Sequence, residues 1–458
     1  MGDVLLMGRE RRSQLSQWTV VSDQWSVKSS TTRRLVNIKK LLSGYLVGMI
    51  LVLLGSASAL AEEAAAPTDW PTLIAQLREV VYQRPHDAQA RQQLATAYNN
   101  YGVGLGNESQ WEVAVVQVQE ALRLEPSNAQ FQRNLSALYA NQAREAYERH
   151  QLTEARTALE RAIALDPNVA QFYAILGDVE YHSQRLKEAK IAWQRAIALD
   201  AAQTAFLKER LDRVANELPV ESTFERLWQA YFDLRYEEQL QRPVGFDIRD
   251  ALLEARRLVG ADFAYWPTYK VVVLIYSAKS FRHLRAEVPD WVAGQFDGKI
   301  RVPFPDGEMA PGLVKQILSH EYTHALIHDL TRGQCPVWLN EGLAEYEGRS
   351  RHPGSLTQLS QAHQAGHLIP WDQLSDQFSS TRSADDVALG YQQSYSLVAY
   401  LVDRYGFWRI RRLLKAIKEG KPWDTVLVEE LRLKLPRLEQ HWREWLPNFL
   451  ASSPGAVR

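Results

Sequence analysis

The sequence predicts two successive folded domains, an α-helical solenoid followed by an α+β domain whose C-terminal part is helical. The first half repeats itself at a fixed period, whereas the second half opens with runs of strand length and ends in long segments of helical periodicity. At roughly 150 residues per domain, 458 residues have room for two large domains or three smaller ones. A hydrophobic content of 46% excludes a largely disordered chain.

Composition narrows the possible partners. The net charge is −1, so the chain has no general basic field for phosphates, and we expect no nucleic-acid partner. Cys335 is the single cysteine, which rules out an intramolecular disulfide and a cysteine-rich metal site. Any metal must therefore be held by histidines and carboxylates.

Residues 1–61 have the pattern of a secretory signal peptide. They carry eight Lys or Arg and three acidic residues, then an apolar run over 41–54, and Ala59-Leu60-Ala61 fits a cleavage site after Ala61. We therefore expect an exported protein, periplasmic or secreted, with no stable membrane span after cleavage. The alternative is an uncleaved N-terminal membrane anchor, although the 14 apolar residues before Gly55 fall short of the roughly 20 that span hydrocarbon.

Residues 62–218 are predicted to form a repeat domain. The spacings from Pro85 to Pro126 and from Pro126 to Pro167 are both 41 residues, and Asp166 to Asp200 is 34 residues. The extra seven residues of the longer units lie around 101–107 and 141–149. With its 34-residue period and its small and large residues at packing positions, the third unit resembles a tetratricopeptide repeat. We expect about three repeats, a trailing helix, and a groove that can bind a protein partner.

Residues 219–448 are predicted to form the α+β domain, and 449–458 a disordered tail. Strand-like runs at 232–236 and 269–276 flank a helical segment at 248–259. A further strand ends at 304, and its Pro303 predicts a sheet edge, to which a peptide could bind by strand addition. Helices are expected near 313–330, 337–347, 388–405, 407–418 and 423–432.

The motif H-E-x-x-H occupies residues 320–324 within a segment of helical periodicity. Residues four apart share a helix face, so His320 and His324 can both bind one Zn²⁺. Glu321 lies beside that face, where it can act as a general base without being a ligand. His328 lies roughly 12 Å along the helix from His320 and is expected to pack or to hydrogen-bond instead. One zinc per chain is predicted, with a third ligand to be found elsewhere.

A second helix follows, in the sequence P-V-W-L-N-E-G-L-A-E-Y over 336–346. Together with H-E-x-x-H it resembles the gluzincins, and most closely the peptidase MA-like family. The resemblance implies a zincin domain of thermolysin-like α+β fold and makes Glu341 the third zinc ligand. Glu345 is then either a carboxylate that orients a ligand histidine or a solvated helix acid, and both readings stay open. For Asn340 we expect a helix cap.

Residues 391–401 are similar to the Y-E-K-G-F-A-L-L-x-Y-L helix of gluzincin aminopeptidases, whose first tyrosine stabilises the oxyanion. The resemblance points to Tyr391, with Tyr395 one turn later as the alternative, although Gln392-Gln393-Ser394 departs from the Glu-Lys-Gly of that helix. The loop by which those aminopeptidases hold a free N-terminus is missing from the sequence.

These patterns predict an exported, zinc-dependent metallohydrolase, specifically a peptidase acting on a peptide or protein substrate. The alternative function is a repeat-based interaction scaffold whose metal domain is vestigial or only structural.

Overall fold

The computed structural model describes residues 69–238, 240, 242–284, 295–304, 310–378 and 383–452. The predicted signal peptide, and with it the alternative membrane anchor, lies outside these ranges. Within them, no helix is both long enough and apolar enough to cross a membrane. The described residues fall into two compact units, 69–215 and 216–452.

The first unit is built from helices joined by short turns. Three consecutive hairpins are formed by α2 with α3, α4 with α5, and α6 with α7, preceded by α1 and followed by α8, which runs into the second unit. The helices are α1 (Trp70–Gln83), α2 (Ala88–Asn107), α3 (Trp111–Leu124), α4 (Ala129–Glu148), α5 (Leu152–Leu165), α6 (Ala170–His182), α7 (Leu186–Leu199) and α8 (Thr204–Glu221).

The two sequence periods have a simple structural origin. The first helix of a hairpin has 20 residues in α2 and in α4 but 13 in α6, whereas the second helix has 14 residues in every hairpin. The seven extra residues of the longer units therefore extend the C-terminal ends of α2 and α4. Ser109, His150 and Gln184 adopt positive φ angles in the three hairpin turns, so the turn geometry is the same in each unit.

Gly177 and Trp193 explain how α6 and α7 pack. A Cβ atom at Gly177 would lie 2.2 Å from the Trp193 ring, so only glycine leaves room for the indole. Trp193 is 1% exposed, and its Nε1 donates to the backbone oxygen of Ala174 at 3.2 Å. The small-large pairing visible in the sequence is thus a direct contact between the two helices of the third hairpin.

The second unit contains a mixed five-stranded sheet in the order β1-β2-β3-β5-β4. Neighbours β2, β3 and β5 are parallel, and the two outer pairs are antiparallel. The strands are β1 (Glu225–Trp228), β2 (Phe232–Tyr236), β3 (Val271–Ser277), β4 (Gln295–Phe296) and β5 (Ile300–Phe304).

Most helices of the second unit cover one face of this sheet and extend the core beyond it, whereas α10 (Ala278–Leu284) packs against the other face. The largest buried cluster joins inward side chains of β2, β3 and β5 to α9 and to the helices that follow β5. The helices are α9 (Arg242–Phe263), α10 (Ala278–Leu284), α11 (Pro311–Thr331), α12 (Val337–Arg349), α13 (Thr357–Gln364), a 3-10 segment (Trp371–Phe378), α14 (Ala384–Tyr405), α15 (Phe407–Lys418), α16 (Trp423–Leu431) and α17 (Leu435–Ser452).

Two features differ from the sequence expectation. The strand that contains Pro303 is not the outermost one, because the short β4 pairs with its first two residues, and only 302–304 have no further strand partner among the described residues. The predicted disordered tail is wrong for 449–452, which continue α17, since Leu450 is buried in the core. Residues 453–458 lie outside the described part.

A buried ion cluster fastens the end of α8 to the other face of the sheet. Arg301 of β5 is fully buried and pairs with Glu221 at 2.7 Å, Glu217 at 3.2 Å and Asp297 at 3.2 Å. Beside it, burial and the neighbouring guanidinium lower the pKa of the fully buried Lys299 to about 8. The carboxylates of α8 are therefore stable in the interior because Arg301 lies between them.

Replacing Arg301 by Met should destabilise the second unit, because three buried carboxylates would lose the guanidinium that pairs with them. We expect the free energy of unfolding to fall by about 3–5 kcal/mol, measured by urea denaturation followed by tryptophan fluorescence. Lys315→Met is the matched control, since its pairing with Glu254 is partly exposed to solvent. Equal midpoints for the two variants would mean that the cluster does not stabilise the fold.

Candidate metal centre

His320 and His324 lie one turn apart on α11, on the side that faces α12. The two Nε2 atoms are 3.1 Å apart and the ring centroids 4.7 Å apart. The helix is buried over most of its circumference, including Leu318, Ala325 and Leu326. A helix with so little exposed surface holds the two imidazoles in a protected position rather than at the surface.

Glu341 reaches both imidazoles from α12. Its Oε2 lies 3.6 Å from His320 Nε2 and 3.5 Å from His324 Nε2. One potential ligand atom from each of the three residues lies within 4.8 Å of the other two. The structure thus brings together the three residues that the sequence predicts as ligands. His328 lies farther along α11, where its ring contacts Phe296 at a centroid distance of 5.8 Å.

Charge in the centre is balanced between the carboxylates and the imidazoles. Burial raises the pKa of Glu341, but the two histidines outweigh burial and lower it to about 2. Burial lowers the pKa of His320, yet Glu341 and Glu345 hold it well above its ordinary value. The carboxylates therefore favour positive charge at the imidazoles, where a metal cation would neutralise the same carboxylates.

Glu321 lies next to the three candidate ligands without belonging to their cluster. It is 4% exposed, and its Oε2 is buried without a hydrogen-bond partner in the described structure. Burial raises its pKa, although His320 and His324 act in the opposite direction. Such a carboxylate accepts a proton more readily than one in water, which suits a general base.

Two side chains of α12 orient the imidazoles by contacting their Nδ1 atoms. Asn340 Oδ1 accepts from His324 Nδ1 at 3.1 Å, and Glu345 Oε1 accepts from His320 Nδ1 at 3.3 Å. The Nε2 atoms are thereby left to face the centre. The cap predicted for Asn340 is wrong, because Pro336 occupies that position. For Glu345 the geometry matches the orienting alternative.

Sequence reasoning missed the contact of Asn340 although one signal was available. Asn340 immediately precedes Glu341 on α12, and a residue next to a ligand on a helix that faces two histidines lies within reach of their outer nitrogens. The capping preference of asparagine favoured the wrong interpretation.

Two glycines allow α12 to approach its neighbours closely. A Cβ atom at Gly342 would lie 2.5 Å from the backbone oxygen of Ser394 on α14 and 2.8 Å from Val398 Cγ2. At Gly348 it would lie 3.1 Å from the backbone oxygen of Gln316 on α11. The distance between Glu341 and the histidines is therefore set by backbone contacts on both sides of α12.

The two candidate tyrosines have different surroundings on α14. The ring of Tyr391 lies 6.3 Å from the ring of His320, and burial together with the carboxylates of the centre holds its pKa well above the ordinary value. Tyr395 lies against Arg349, 5.0 Å from the guanidinium carbon to the ring centroid, and 6.4 Å from the ring of Tyr346. Tyr391 is thus the protonated phenol beside the candidate ligands.

Gln392 and Gln393 account for the departure from Glu-Lys-Gly. The side chain of Gln393 accepts from the backbone nitrogen of Ile369 at 3.0 Å and donates to the backbone oxygen of the same residue at 2.6 Å. Gln392 accepts from the backbone nitrogen of Leu359 at 3.0 Å. Both amides are buried and fasten the segment around α13 to α14, which is a structural role.

Comparison with known proteins agrees with a peptidase-like domain. Residues 310–448, which include both histidines, Glu341 and Tyr391, match the sequence model of the Peptidase MA superfamily. A comparison with curated proteins gives no significant match.

Solved structures that match include the MamA RS-1 ArsTM double mutant, which is 19% identical, with 43% of this chain and 89% of that chain covered and a TM-score of 0.19. A mutant of Thermobaculum terrenum O-GlcNAc transferase is 15% identical, with 71% of this chain and 50% of that chain covered and a TM-score of 0.16. Both TM-scores are too low to support a conclusion about this fold.

Gly342→Ala should destabilise the second unit, because the new methyl group would meet the backbone of α14, which cannot move cheaply. We expect a loss of about 1–3 kcal/mol in the free energy of unfolding, measured by urea denaturation. Gly104→Ala is the control, since its Cβ would meet nothing within 4 Å, and helix propensity predicts a gain of about 0.5–1 kcal/mol. A stabilised Gly342→Ala variant would show that α12 and α14 are not in tight contact.

Proposed function

We propose that the protein is an exported zinc-dependent peptidase in which a tetratricopeptide-like domain (62–218) precedes a gluzincin-type domain (219–448). The observation that carries the proposal is the cluster of His320, His324 and Glu341, whose ligand atoms lie within 4.8 Å of one another beside the buried Glu321. The Peptidase MA superfamily match over 310–448 supports the same reaction class. Export rests on the signal-like sequence of residues 1–61 alone.

The donor set fits one zinc ion per chain. Two imidazole nitrogens and one carboxylate are a catalytic zinc set that leaves one coordination position open. The buried Oε2 of Glu341 faces both imidazole Nε2 atoms at 3.5 and 3.6 Å, which places the three donor atoms around one point where a metal ion can bind. When bound, zinc supplies Lewis acidity to the scissile carbonyl and lowers the pKa of a water molecule.

Glu321 moves the protons in this proposal. Its carboxylate takes a proton from the attacking water and passes it to the leaving amine, so it ends each turnover unprotonated. Both steps need a carboxylate that is buried and near the ligands but not itself a ligand. The raised pKa of Glu321 and its unpaired Oε2 agree with these requirements.

Tyr391 is proposed to donate a hydrogen bond to the oxyanion of the tetrahedral intermediate. Its raised pKa keeps the phenol protonated, and its ring lies beside His320. Tyr395, the alternative donor, already lies against Arg349. Substrate is proposed to bind along 302–304 as an added strand, with the repeat domain recruiting a protein substrate or partner.

Glu321→Gln should retain zinc and lose peptide hydrolysis, because it removes the base and leaves all three ligands in place. Glu341→Gln is the matched comparison and should lose most of its zinc. Residues 62–458 of each protein would be purified, zinc measured by mass spectrometry, and turnover followed with a peptide library. Zinc-free native protein that also fails to bind added zinc would refute the proposed function, and unchanged turnover in Glu321→Gln would assign the chemistry to another group.

Tyr391→Phe should lower kcat about a hundredfold to a thousandfold, as expected for loss of one oxyanion donor. KM and zinc content should stay nearly normal, since negative charge develops on the carbonyl oxygen only on the way to the intermediate. Tyr395→Phe keeps the ring against Arg349 and should change kcat little. If the effects of the two substitutions are reversed, Tyr395 is the donor. If neither matters, the oxyanion is stabilised by other groups.

A further inference from the structure

We infer that Arg349 is a positioning residue for the zinc site, which acts by holding Glu345 against His320 and thereby raises the affinity for zinc. The inference rests on the proposed function for the identity of the metal but not on turnover. It concerns a residue that is no ligand and does not contact the ligands through any described hydrogen bond.

The contacts form a short chain along one face of α12. Glu345 uses its two oxygens for two different partners, with Oε1 3.3 Å from His320 Nδ1 and Oε2 2.6 Å from Arg349 Nε. Arg349 follows Glu345 by one helical turn, so the pair is compatible with undistorted helix geometry. A displacement of the guanidinium therefore moves the carboxylate that orients His320.

The guanidinium is itself held from several sides. Its Nη1 donates to the backbone oxygen of Ser355 at 3.3 Å, and its Cζ lies 5.0 Å from the centroid of the Tyr395 ring. A Cβ atom at Gly354 would lie 2.8 Å from Nη1, so the glycine leaves space that the guanidinium fills. These contacts define one position for Arg349, which a flexible lysine could not reproduce.

The ion pair between Arg349 and Glu345 is largely shielded from solvent. The side chains of Arg349 and Glu345 are 10% and 13% exposed, so solvent screens their interaction little. Without Arg349, Oε2 of Glu345 would lose its charged partner, and the carboxylate would no longer be held against His320. The imidazole would then lose the acceptor that fixes its tautomer and ring orientation for the metal.

Arg349 also withdraws negative charge from Glu345, which by itself would weaken zinc binding. The two effects predict opposite signs, so the direction of the change in affinity decides between them. If positioning dominates, removal of Arg349 weakens the affinity for zinc. If charge withdrawal dominates, removal of Arg349 strengthens it.

The test is a double-mutant cycle on zinc affinity, measured by competition with a chromophoric chelator on residues 62–458. Arg349→Met should weaken zinc binding about tenfold, the lower end of the range for residues that support a ligand. Glu345→Gln should weaken it by at least as much. In the Glu345→Gln background, Arg349→Met should add less than about a twofold change, since its effect passes through Glu345.

Two further variants separate positioning from general disruption. Arg349→Lys keeps the charge and should recover part of the lost affinity. Arg351→Met removes the next arginine of the chain, which pairs with Glu347 at 3.7 Å, and should leave zinc affinity unchanged. Thermal unfolding of each metal-free variant reports whether the fold is intact. If Arg349→Met does not fold, Arg349→Lys replaces it in the double-mutant cycle.

Unchanged or tighter zinc binding by Arg349→Met would overturn the inference. So would a loss of zinc affinity on Arg349→Met that is equally large in the native protein and in the Glu345→Gln variant. Native protein that binds zinc but hydrolyses no peptide would refute the proposed peptidase and leave the cycle on zinc affinity valid. Native protein that binds no zinc would refute both.

Discussion

The candidate site depends on the close approach of three helices at two glycine positions of α12. Gly342 sets the contact of α12 with α14, and Gly348 sets its contact with α11. Because both contacts involve backbone oxygens, the position of Glu341 relative to the two histidines is determined by main-chain packing rather than by flexible side chains. The distances of 3.5 and 3.6 Å from Glu341 to the imidazoles follow from that packing.

Burial of charge is the second constraint. Three carboxylates, from Glu321, Glu341 and Glu345, lie close to two imidazoles. Burying these carboxylates is energetically tolerable because each has a compensating neighbour. The same principle operates on the other face of the sheet, where Arg301 compensates the carboxylates of α8. In that cluster the compensating charge is a guanidinium, whereas in the centre on α11 and α12 it comes from the imidazoles and, for Glu345, also from Arg349.

Features that depend on local periodicity and spacing were predictable from the sequence. The helix around H-E-x-x-H, the second helix with Glu341 and the strands at 232–236 and 271–277 lie within a few residues of their expected positions. Features that depend on contacts between distant segments were not predictable. The contact of Asn340 with His324 is of this kind, because its partner lies on another helix and the local capping preference outweighed the signal for it. The helical state of 449–452 depends in the same way on burial of Leu450 against the core.

The seven-residue difference between the first helices of the hairpins has a consequence for how this repeat can vary in length. Seven residues make almost two full turns, so the added segment rotates the helix face by only about 20°. It lengthens the helix by about 10.5 Å. The buried stripes of α2 and α4 thus continue nearly in phase along their extensions, where Leu105 and Tyr147 are still buried. An insertion of five residues would turn the stripe by about 140° at 3.6 residues per turn and expose it. Length variation in such hairpins is therefore confined to steps that preserve helical phase.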